Sequence, residues 1–202
     1  MHEEINVANE KTDNSTAVTF DLVTGLSPDT ESLKRYLSNM KGMYYDNDAL
    51  EEMIGAKDEL VYEFYDMKRP ETPAEIAYGT SITYPGLVGE EYFMTKGHFH
   101  TQIETSEVYY CLSGHGYMLM ENPEGQWEAR EMKPGIAVYV PGRYAHRSIN
   151  ASLQEPLVSF FAFRGDAGHD YGTIETQGFR KLCVHRNGKS EFVDNPRWKP
   201  KV

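Results

Sequence analysis

The stretch GHFHTQIETSEVYYCLSG, residues 97–114, contains two histidines at alternate positions and a glutamate shortly after them. Side chains two residues apart on a β-strand point to the same face, so His98 and His100 would present two imidazoles together. Glu107 and Tyr109 share a face of the following strand in the same way. A His-x-His pair alone is a weak indication of a metal site, because it also fits a solvent-facing edge strand.

A second segment, GIAVYVPGRYAHRSIN at residues 135–150, adds another histidine, His146. Three imidazoles and one carboxylate can hold Fe, Mn, Ni or Zn and leave coordination positions open for a ligand. Arg143 and Arg147 of this segment are predicted to lie at the surface or rim. The predicted metal ligands are His98, His100, Glu107 and His146. The histidines predicted not to bind metal are His2, His115 and His185.

Short strand patterns surround these segments and are separated by Gly, Pro and Asn. Between residues 60 and 165 the patterns are LVYEFYDM, EIAYGTSITYPG, EEYFMTKGHFH, SEVYYCLSGHGYMLME, WEAREMKPG, IAVYVPGRYAHRSIN and PLVSFFAFRG. Turn signals about every ten residues predict an all-β sandwich or barrel. A further hairpin is predicted around Asn187 and Gly188, after a loop with the sequence GHDYGTIETQGF.

The N-terminal part has a different pattern. Residues 1–17 are polar and predict a flexible arm, and residues 18–25 alternate as a strand would. Helical spacing of apolar residues predicts short helices near residues 29–37 and 46–54. Residues 18–202 are therefore interpreted as a single domain with a short helical extension at its start.

The composition of the chain indicates which kinds of partner and which cellular compartment to expect. The 202 residues have a formal charge of −11, which argues against nucleic acid as a partner, because phosphate-backbone contacts need surplus Lys and Arg. No apolar run is long enough for a transmembrane helix, and the N-terminus lacks the pattern of a signal peptide. The two cysteines, Cys111 and Cys183, are expected to be buried thiols, so a cytoplasmic location is predicted.

The spacing of these residues resembles the two sequence motifs of cupins. In the first motif, Glu107 is followed by six residues and Gly114, after the His-x-His pair. The second motif matches Gly135, Pro141, His146 and Asn150. The resemblance implies a cupin double-stranded β-helix, also called a jelly-roll barrel.

Two departures from the cupin pattern accompany these matches. The glutamate of the first motif commonly follows the second histidine by three or four residues, which makes Glu104 an alternative ligand to Glu107. Arg143 stands where the second motif has a glycine, and Gly142 precedes it by one position. The turn after Pro141 is therefore expected to differ in shape.

A closer resemblance covers the chain from about Val61 to Trp198. The segments TYPGLVGEEYFMTKGHFH, SEVYYCLSGHGYML, VYVPGRYAHRSIN, GDAGHDYGTIETQGF and VDNPRW resemble the cupin-type glucose-6-phosphate isomerases of archaea and some bacteria. This resemblance implies interconversion of glucose 6-phosphate and fructose 6-phosphate, a step of glycolysis and gluconeogenesis. It also implies a homodimer with one divalent metal per subunit, Fe²⁺ being expected, with Mn²⁺, Ni²⁺ and Zn²⁺ left open.

The resemblance also implies roles for individual residues. Ser81 stands where the family has a phosphate-binding threonine, so the hydroxyl is kept and a methyl group is lost. Lys96 is an alternative phosphate ligand, although alternation on a strand would point it away from the side of its neighbours. The implied substrate contacts are Tyr62, Ser81, Thr95, Gly97 and Tyr109. The implied catalytic residues are Glu107, His169 and Tyr171.

The chemistry of the reaction is compatible with these residues. An aldose–ketose isomerisation moves a hydrogen between C1 and C2, and Glu107 is the predicted proton carrier. A carboxylate on a metal is a poorer base, because the cation favours its ionised form. Either Glu107 binds the metal weakly, or the hydrogen moves as a hydride, and the sequence leaves both routes open.

Other functions use the same ligand set. An Fe(II)-dependent cupin oxygenase would consume oxygen with its substrate, and a sugar-phosphate-binding cupin without catalysis would bind but not convert its ligand. Activity on mannose 6-phosphate is a further alternative, because an enediol intermediate also permits epimers at C2 to interconvert. Oxygen uptake and sugar-phosphate turnover distinguish these hypotheses.

Overall fold

Strands form most of the regular secondary structure of the computed structural model, which describes residues 15–67 and 69–199. The strands are β1 (Leu33–Tyr36), β2 (Leu60–Asp66), β3 (Ile76–Thr83), β4 (Leu87–Val88), β5 (Glu91–Tyr92), β6 (Glu107–Ser113), β7 (Gly116–Glu121), β8 (Trp127–Met132), β9 (Ala137–Val140), β10 (Ala145–Asn150), β11 (Leu157–Arg164), β12 (Lys181–Arg186) and β13 (Lys189–Asp194). The helices are α1 (Asn47–Ala56), α2 (Gly172–Gln177) and a 3₁₀ turn (Leu37–Met40).

The strands form three sheets whose pairings are all antiparallel. A six-stranded sheet has the order β1-β2-β3-β11-β6-β9, a three-stranded sheet has the order β10-β7-β8, and a four-stranded sheet has the order β13-β12-β5-β4. Side chains from the six-stranded and three-stranded sheets share one apolar cluster, in which Tyr109 and Phe161 accompany Met118 and Met120. The two sheets therefore face each other across a core, as expected for the cupin barrel, and the all-β prediction is confirmed.

This arrangement brings the two sequence motifs to one place between the facing sheets. Glu107 begins β6 in the six-stranded sheet, whereas His146 lies on β10 in the three-stranded sheet. His98 pairs with His146 through an isolated antiparallel bridge, with backbone N–H···O distances of 3.3 and 3.1 Å. Both motifs thus contribute side chains to the same interior.

The helix predicted near residues 29–37 is wrong. Leu33–Tyr36 is the edge strand β1, which pairs antiparallel with β2, and Leu37 begins the 3₁₀ turn. Leu33 is 44% exposed and Tyr36 is 38% exposed, so the apolar stripe that suggested a helix is not buried as a unit. Pairing with the backbone of β2 outweighs helix propensity in so short a segment.

The remaining local predictions have mixed outcomes. Residues 18–25 are not a strand, because the Asp21 carboxylate accepts the N–H groups of Val23 and Thr24 at 2.9 and 2.7 Å and fixes a turn. Helix α1 confirms the helix predicted at 46–54. The segment after Tyr171, predicted as loop, contains helix α2.

Other features of the chain agree with the sequence. The predicted hairpin joins β12 to β13 through Asn187 and Gly188, both at positive φ. Cys111 and Cys183 are buried free thiols. No helix of the described residues combines the length and the apolar character that crossing a membrane requires. Of the predicted arm, residues 1–14, which include His2, lie outside the described residues.

Candidate metal centre

Four buried side chains converge between the facing sheets. His98, His100, Glu107 and His146 each offer one ligand atom, and these atoms all lie within 4.8 Å of one another. The Glu107 Oε2 atom is 3.1 Å from His100 Nε2 and 2.9 Å from His146 Nε2. The predicted ligand set is therefore brought together and could hold one divalent metal.

The orientation of the imidazoles fits a metal. His100 Nδ1 donates to the Thr105 carbonyl at 2.8 Å, and His146 Nδ1 donates to the Tyr144 carbonyl at 3.3 Å. A carbonyl oxygen only accepts, so each ring must bear its proton on Nδ1 and direct the Nε2 lone pair into the cluster. The Nε2 atom of His98 is buried without a hydrogen-bond partner, as a ligand atom of a metal would be.

The electrostatics of the cluster favour the protonation states that a metal needs at His98 and Glu107, but not at His100. Burial lowers the pKa of His98 well below its ordinary value, and His146 lowers it further. Burial raises the pKa of Glu107, but its histidine neighbours, His146 first, outweigh burial and leave it below the ordinary value. Burial lowers the pKa of His100, yet the adjacent carboxylate leaves it raised. An ionised carboxylate beside a neutral His98 suits a cation.

A loop from the C-terminal half is docked beside this cluster by backbone hydrogen bonds. Asp170 N donates to Phe99 O at 2.8 Å, and Phe99 N donates to Asp170 O at 3.2 Å. This pairing puts the His169 ring 4.4 Å from the His98 ring, centroid to centroid. Tyr171 stacks on His169 with a centroid distance of 5.8 Å and an interplanar angle of 12°.

A cavity of about 580 Å³ opens onto the cluster. Its lining includes every residue predicted to contact substrate or to act in catalysis: Tyr62, Ser81, Thr95, Gly97, Glu107, Tyr109, His169 and Tyr171. The structure thus brings these residues together around one space, and their individual roles remain proposals.

Hydroxyl groups that line the cavity have defined surroundings. Thr95 Oγ1 accepts the N–H of Ser148 at 3.1 Å, which leaves the Thr95 hydroxyl proton free for another acceptor. Burial raises the pKa of Tyr62 to about 12, and Tyr171 raises it further, so this phenol stays neutral. Burial also raises the pKa of Tyr109 well above its ordinary value, with Glu107 as the next cause. These groups are therefore neutral hydrogen-bond donors.

The positions of two side chains exclude alternatives from the sequence, namely Glu104 as a metal ligand and Lys96 as a phosphate ligand. The Glu104 side chain is 78% exposed and points to Arg143 at 3.7 Å, so Glu104 is not a member of the cluster. The Lys96 ammonium group pairs with Glu175 Oε1 at 3.0 Å, and Lys96 does not line the cavity. Glu107 therefore remains the candidate carboxylate ligand.

The other two predicted non-ligand histidines lie apart from the cluster. His115 pairs with Glu131 at 3.2 Å on the exposed side of the molecule. His185 Nδ1 is 2.6 Å from the Tyr92 hydroxyl oxygen. Both positions agree with the prediction that these histidines do not bind the metal.

One arginine was wrongly predicted from sequence. Arg147 was expected at the surface or rim, but it is only 4% exposed. The usable signal was the position of Arg147 inside a strand. All six residues of β10 are buried, and a charged residue inside such a strand must find partners. The sequence analysis also did not identify the aromatic lining residues Phe64, Phe161 and Phe163.

Comparisons with known proteins agree on one family. A family model described as glucose-6-phosphate isomerase (GPI) matches residues 34–199. A glucose-6-phosphate isomerase of Pyrococcus abyssi is 43% identical over 182 residues, which cover 90% of this chain and 96% of the relative. A glucose-6-phosphate isomerase of Thermococcus litoralis is also 43% identical over 182 residues, covering 90% of this chain and 95% of the relative.

Solved structures give weaker likenesses. An oxalate oxidase in complex with the substrate analogue glycolate is 10% identical, with a TM-score of 0.47 and 58% of each chain covered. An oxalate decarboxylase of Lactobacillus farciminis, as a formate complex, is 18% identical, with a TM-score of 0.43, covering 55% of this chain and 30% of the other.

Proposed function

The chain belongs to the glucose-6-phosphate isomerase family, and we propose on this premise that it interconverts glucose 6-phosphate and fructose 6-phosphate. The observation that supports the proposal most directly is the buried three-histidine, one-glutamate cluster at the wall of a cavity of about 580 Å³. The proposed step belongs to glycolysis and gluconeogenesis.

The two sides of the cavity suggest how the substrate is oriented. Hydroxyl donors from Tyr62, Ser81 and Thr95, together with the backbone at Gly97, are proposed to bind the phosphate. The opposite side, formed by the metal ligands with Tyr109, is proposed to receive C1 and C2 of the open-chain sugar. Binding at both ends would hold the reacting carbons in one position.

Glu107 is proposed to move the proton between C1 and C2. Its carboxylate is buried and its pKa is below the ordinary value, because His146 and His100 outweigh the effect of burial, so it is ionised. The lowered pKa also makes it a weaker base, and hydride transfer between C1 and C2 is the alternative route. A divalent metal on the four ligands would polarise the C1 and C2 oxygens as a Lewis acid. His169 and Tyr171, stacked beside His98, are proposed to contact the sugar and assist ring opening.

The identity of the metal and the setting of the enzyme are also proposals. Fe²⁺ is proposed, with Mn²⁺, Ni²⁺ and Zn²⁺ as alternatives, because imidazole and carboxylate ligands suit all four. Buried free thiols at Cys111 and Cys183 support a reducing cytoplasm. Residues 18–202 are proposed to act as one domain, since β1 near one end shares the sheet that contains Glu107.

A homodimer is proposed from an apolar face behind the site. On β6, Glu107 and Tyr109 point into the barrel, while Val108 and Tyr110 are 41% and 43% exposed on the other side. Tyr139, which is opposite Val108 on β9, is 61% exposed. Adjacent exposed apolar residues of this kind are typical of contact surfaces, and a second copy of the chain is the proposed occupant.

The test of the function is metal analysis of the purified protein coupled to fructose 6-phosphate turnover. We expect close to one transition metal per chain, loss of turnover after chelation, and recovery when Fe²⁺ is added under anaerobic conditions. Substrate-dependent oxygen uptake without isomer formation would instead establish an oxygenase. Binding of fructose 6-phosphate without conversion, at full metal occupancy, would establish a binding protein. Mannose 6-phosphate, assayed in parallel, tests the selectivity at C2.

A further inference from the structure

The segment that follows β5 contains a β-bulge where it passes β10. Met94 bridges to Ile149, and His98 bridges to His146. Three residues lie between the bridges on the first segment and two on β10, so one residue is extra. Gly97 has φ +75°, the left-handed conformation that bulges often need and glycine adopts readily.

The bulge replaces part of the regular ladder with side-chain bonds. Thr95 N donates to Ser148 O at 3.0 Å, as a ladder pair would. In return Ser148 N donates to the Thr95 hydroxyl oxygen, 3.1 Å away, and not to a backbone carbonyl. Lys96, the next residue, has a backbone carbonyl that accepts from a side chain.

Arg147 supplies that donor from behind the cavity. Its Nη2 donates to Lys96 O, and its Nη1 lies 2.9 Å from Met94 Sδ. The guanidinium carbon stands 4.3 Å from the centre of the Phe179 ring. Arg147 thus contacts the extra residue of the bulge and a residue at one of its two ends.

The same two side chains enclose the glycine of the bulge. A Cβ at Gly97 would lie 2.7 Å from the Phe179 ring and 3.0 Å from Arg147 Cβ. The backbone of the bulge therefore has little room to move while Arg147 and Phe179 are in place.

The bulge decides which groups reach the cavity. Thr95 and Gly97 line it, whereas the Lys96 side chain pairs with Glu175 outside it. No lysine or arginine is among the described residues that line the cavity. Phosphate binding there would depend on accurately placed neutral donors.

We propose that Arg147 is a positioning residue for the phosphate end of the substrate site. It holds the bulge at Lys96 and Gly97 in the shape that presents the Thr95 hydroxyl and the Gly97 backbone to the phosphate. The inference rests on the proposed function, and it extends that function to a residue that lies behind the cavity wall and does not line it.

The test compares Arg147→Met with the wild-type protein. Methionine keeps much of the apolar stem but donates no hydrogen bond to Lys96 O. We expect the KM for fructose 6-phosphate and the inhibition constant for inorganic phosphate to rise together by about tenfold, the effect of losing one charge-assisted hydrogen bond. The value of kcat should fall much less, and the metal content should stay at the wild-type level.

Two further variants serve as conservative rescue and matched control. Arg147→Lys keeps a cationic donor and should recover part of the KM and of the phosphate inhibition constant. Arg180 also donates to a backbone carbonyl, Gly125 O at 2.9 Å, and stacks on an aromatic ring, Trp198 at 5.2 Å. Arg180→Met should leave KM and the phosphate constant near wild type.

The outcomes separate the inference from the proposed function. Wild-type protein that does not convert fructose 6-phosphate contradicts the function itself, whatever the variants do. If the wild type is active and Arg147→Met retains metal, an unchanged KM and phosphate constant overturns the positioning role. If Arg147→Met does not fold, Arg147→Lys and Phe179→Leu decide. A KM increase in both supports the role, and wild-type constants in both overturn it.

Discussion

Glu107 and Glu91 are both buried carboxylates, and their surroundings shift their pKa values in opposite directions. At Glu107, burial raises the pKa but His146 and His100 outweigh it, so the group is ionised. At Glu91, burial is the largest cause and raises the pKa to about 7, although the Tyr45 N–H and Arg147 lower it. The first carboxylate is thereby suited to a metal and a proton, whereas the second affects stability.

Replacing Glu107 with Gln should abolish most activity. An amide has no charge to balance a cation and cannot accept the proton, so metal content should fall and turnover should fall further than substrate affinity. Glu104→Gln is the matched control, since Glu104 belongs to the same loop and is exposed. Metal analysis and steady-state kinetics on both variants measure this. Near-normal turnover in Glu107→Gln, or equal losses in the two variants, would contradict the ligand assignment.

Glu91 should make the folded protein less stable as the pH rises. Its folded pKa of about 7 exceeds the ordinary value of 4.5, so the folded state binds the proton more tightly than the unfolded state does. The free energy of unfolding should therefore decrease between about pH 4.5 and pH 7 and then stay lower. Glu91→Gln removes this contribution and should be more stable than wild type at pH 8, by up to about 3 kcal/mol, and similar at pH 5.

Urea unfolding at several pH values measures this difference. Glu90→Gln is the control on the neighbouring residue, because Glu90 is exposed and Arg186 lowers its pKa. That variant should show no gain at high pH. A stability difference between Glu91→Gln and wild type that does not depend on pH would refute the explanation.

At the scale of elements, the turn between β9 and β10 explains a departure from the cupin motif. Arg143 has φ +72°, the left-handed conformation that the motif's glycine would adopt without strain. Arg143 therefore adopts, with some strain, a conformation that glycine takes readily. Arg143 Nη2 pairs with Glu124 at 2.6 Å, and its backbone N–H donates to Ile103 O at 2.5 Å.

Restoring glycine at this turn should relieve the strain. Arg143→Gly and Arg143→Ala both lose the ion pairs, but only glycine removes the clash of Cβ at positive φ. The glycine variant should exceed the alanine variant by about 1 kcal/mol in free energy of unfolding. Chemical denaturation of the two variants measures this directly. Equal stability of the two would show that the turn is not strained.

At the scale of the whole molecule, the six-stranded sheet has one face on the site, and its other face is exposed at β6 and β9. The pair Val108 and Tyr139 lies on the outer face, directly behind Glu107 and Tyr109. A second copy bound there would cover apolar area and would also support the strand that contains the carboxylate ligand. Oligomeric state and activity are therefore expected to be coupled.

Charged substitutions on this face should disrupt the dimer. Val108→Lys combined with Tyr139→Lys places ammonium groups in the proposed contact, where desolvation is unfavourable. We expect the mass from light scattering to halve. Leu153→Lys is the control, because Leu153 is also an exposed apolar residue, 47% accessible, on a loop elsewhere. A wild-type protein that is already monomeric, or a double variant that remains dimeric, would contradict the proposed interface.

The sequence by itself determined most of the strands, the four residues of the candidate metal cluster and the family. These features depend on short-range information: alternation along a strand, fixed spacing between ligands, and turn residues such as Asn187 and Gly188. The choice of Glu107 over Glu104 was also available from spacing, because only Glu107 keeps six residues before Gly114.

Other features form only when distant segments of the chain pair with each other, and these were decided by the tertiary structure. Leu33–Tyr36 has apolar residues at helical spacing, yet it is a strand because β2 offers it backbone partners. His169 reaches the cluster because Phe99 and Asp170 exchange hydrogen bonds across about seventy residues of chain. Arg147 is buried because the bulge leaves a carbonyl for it at Lys96. Buried polar groups are satisfied by hydrogen bonds to distant segments. The local pattern of apolar residues does not indicate which distant group will be the partner.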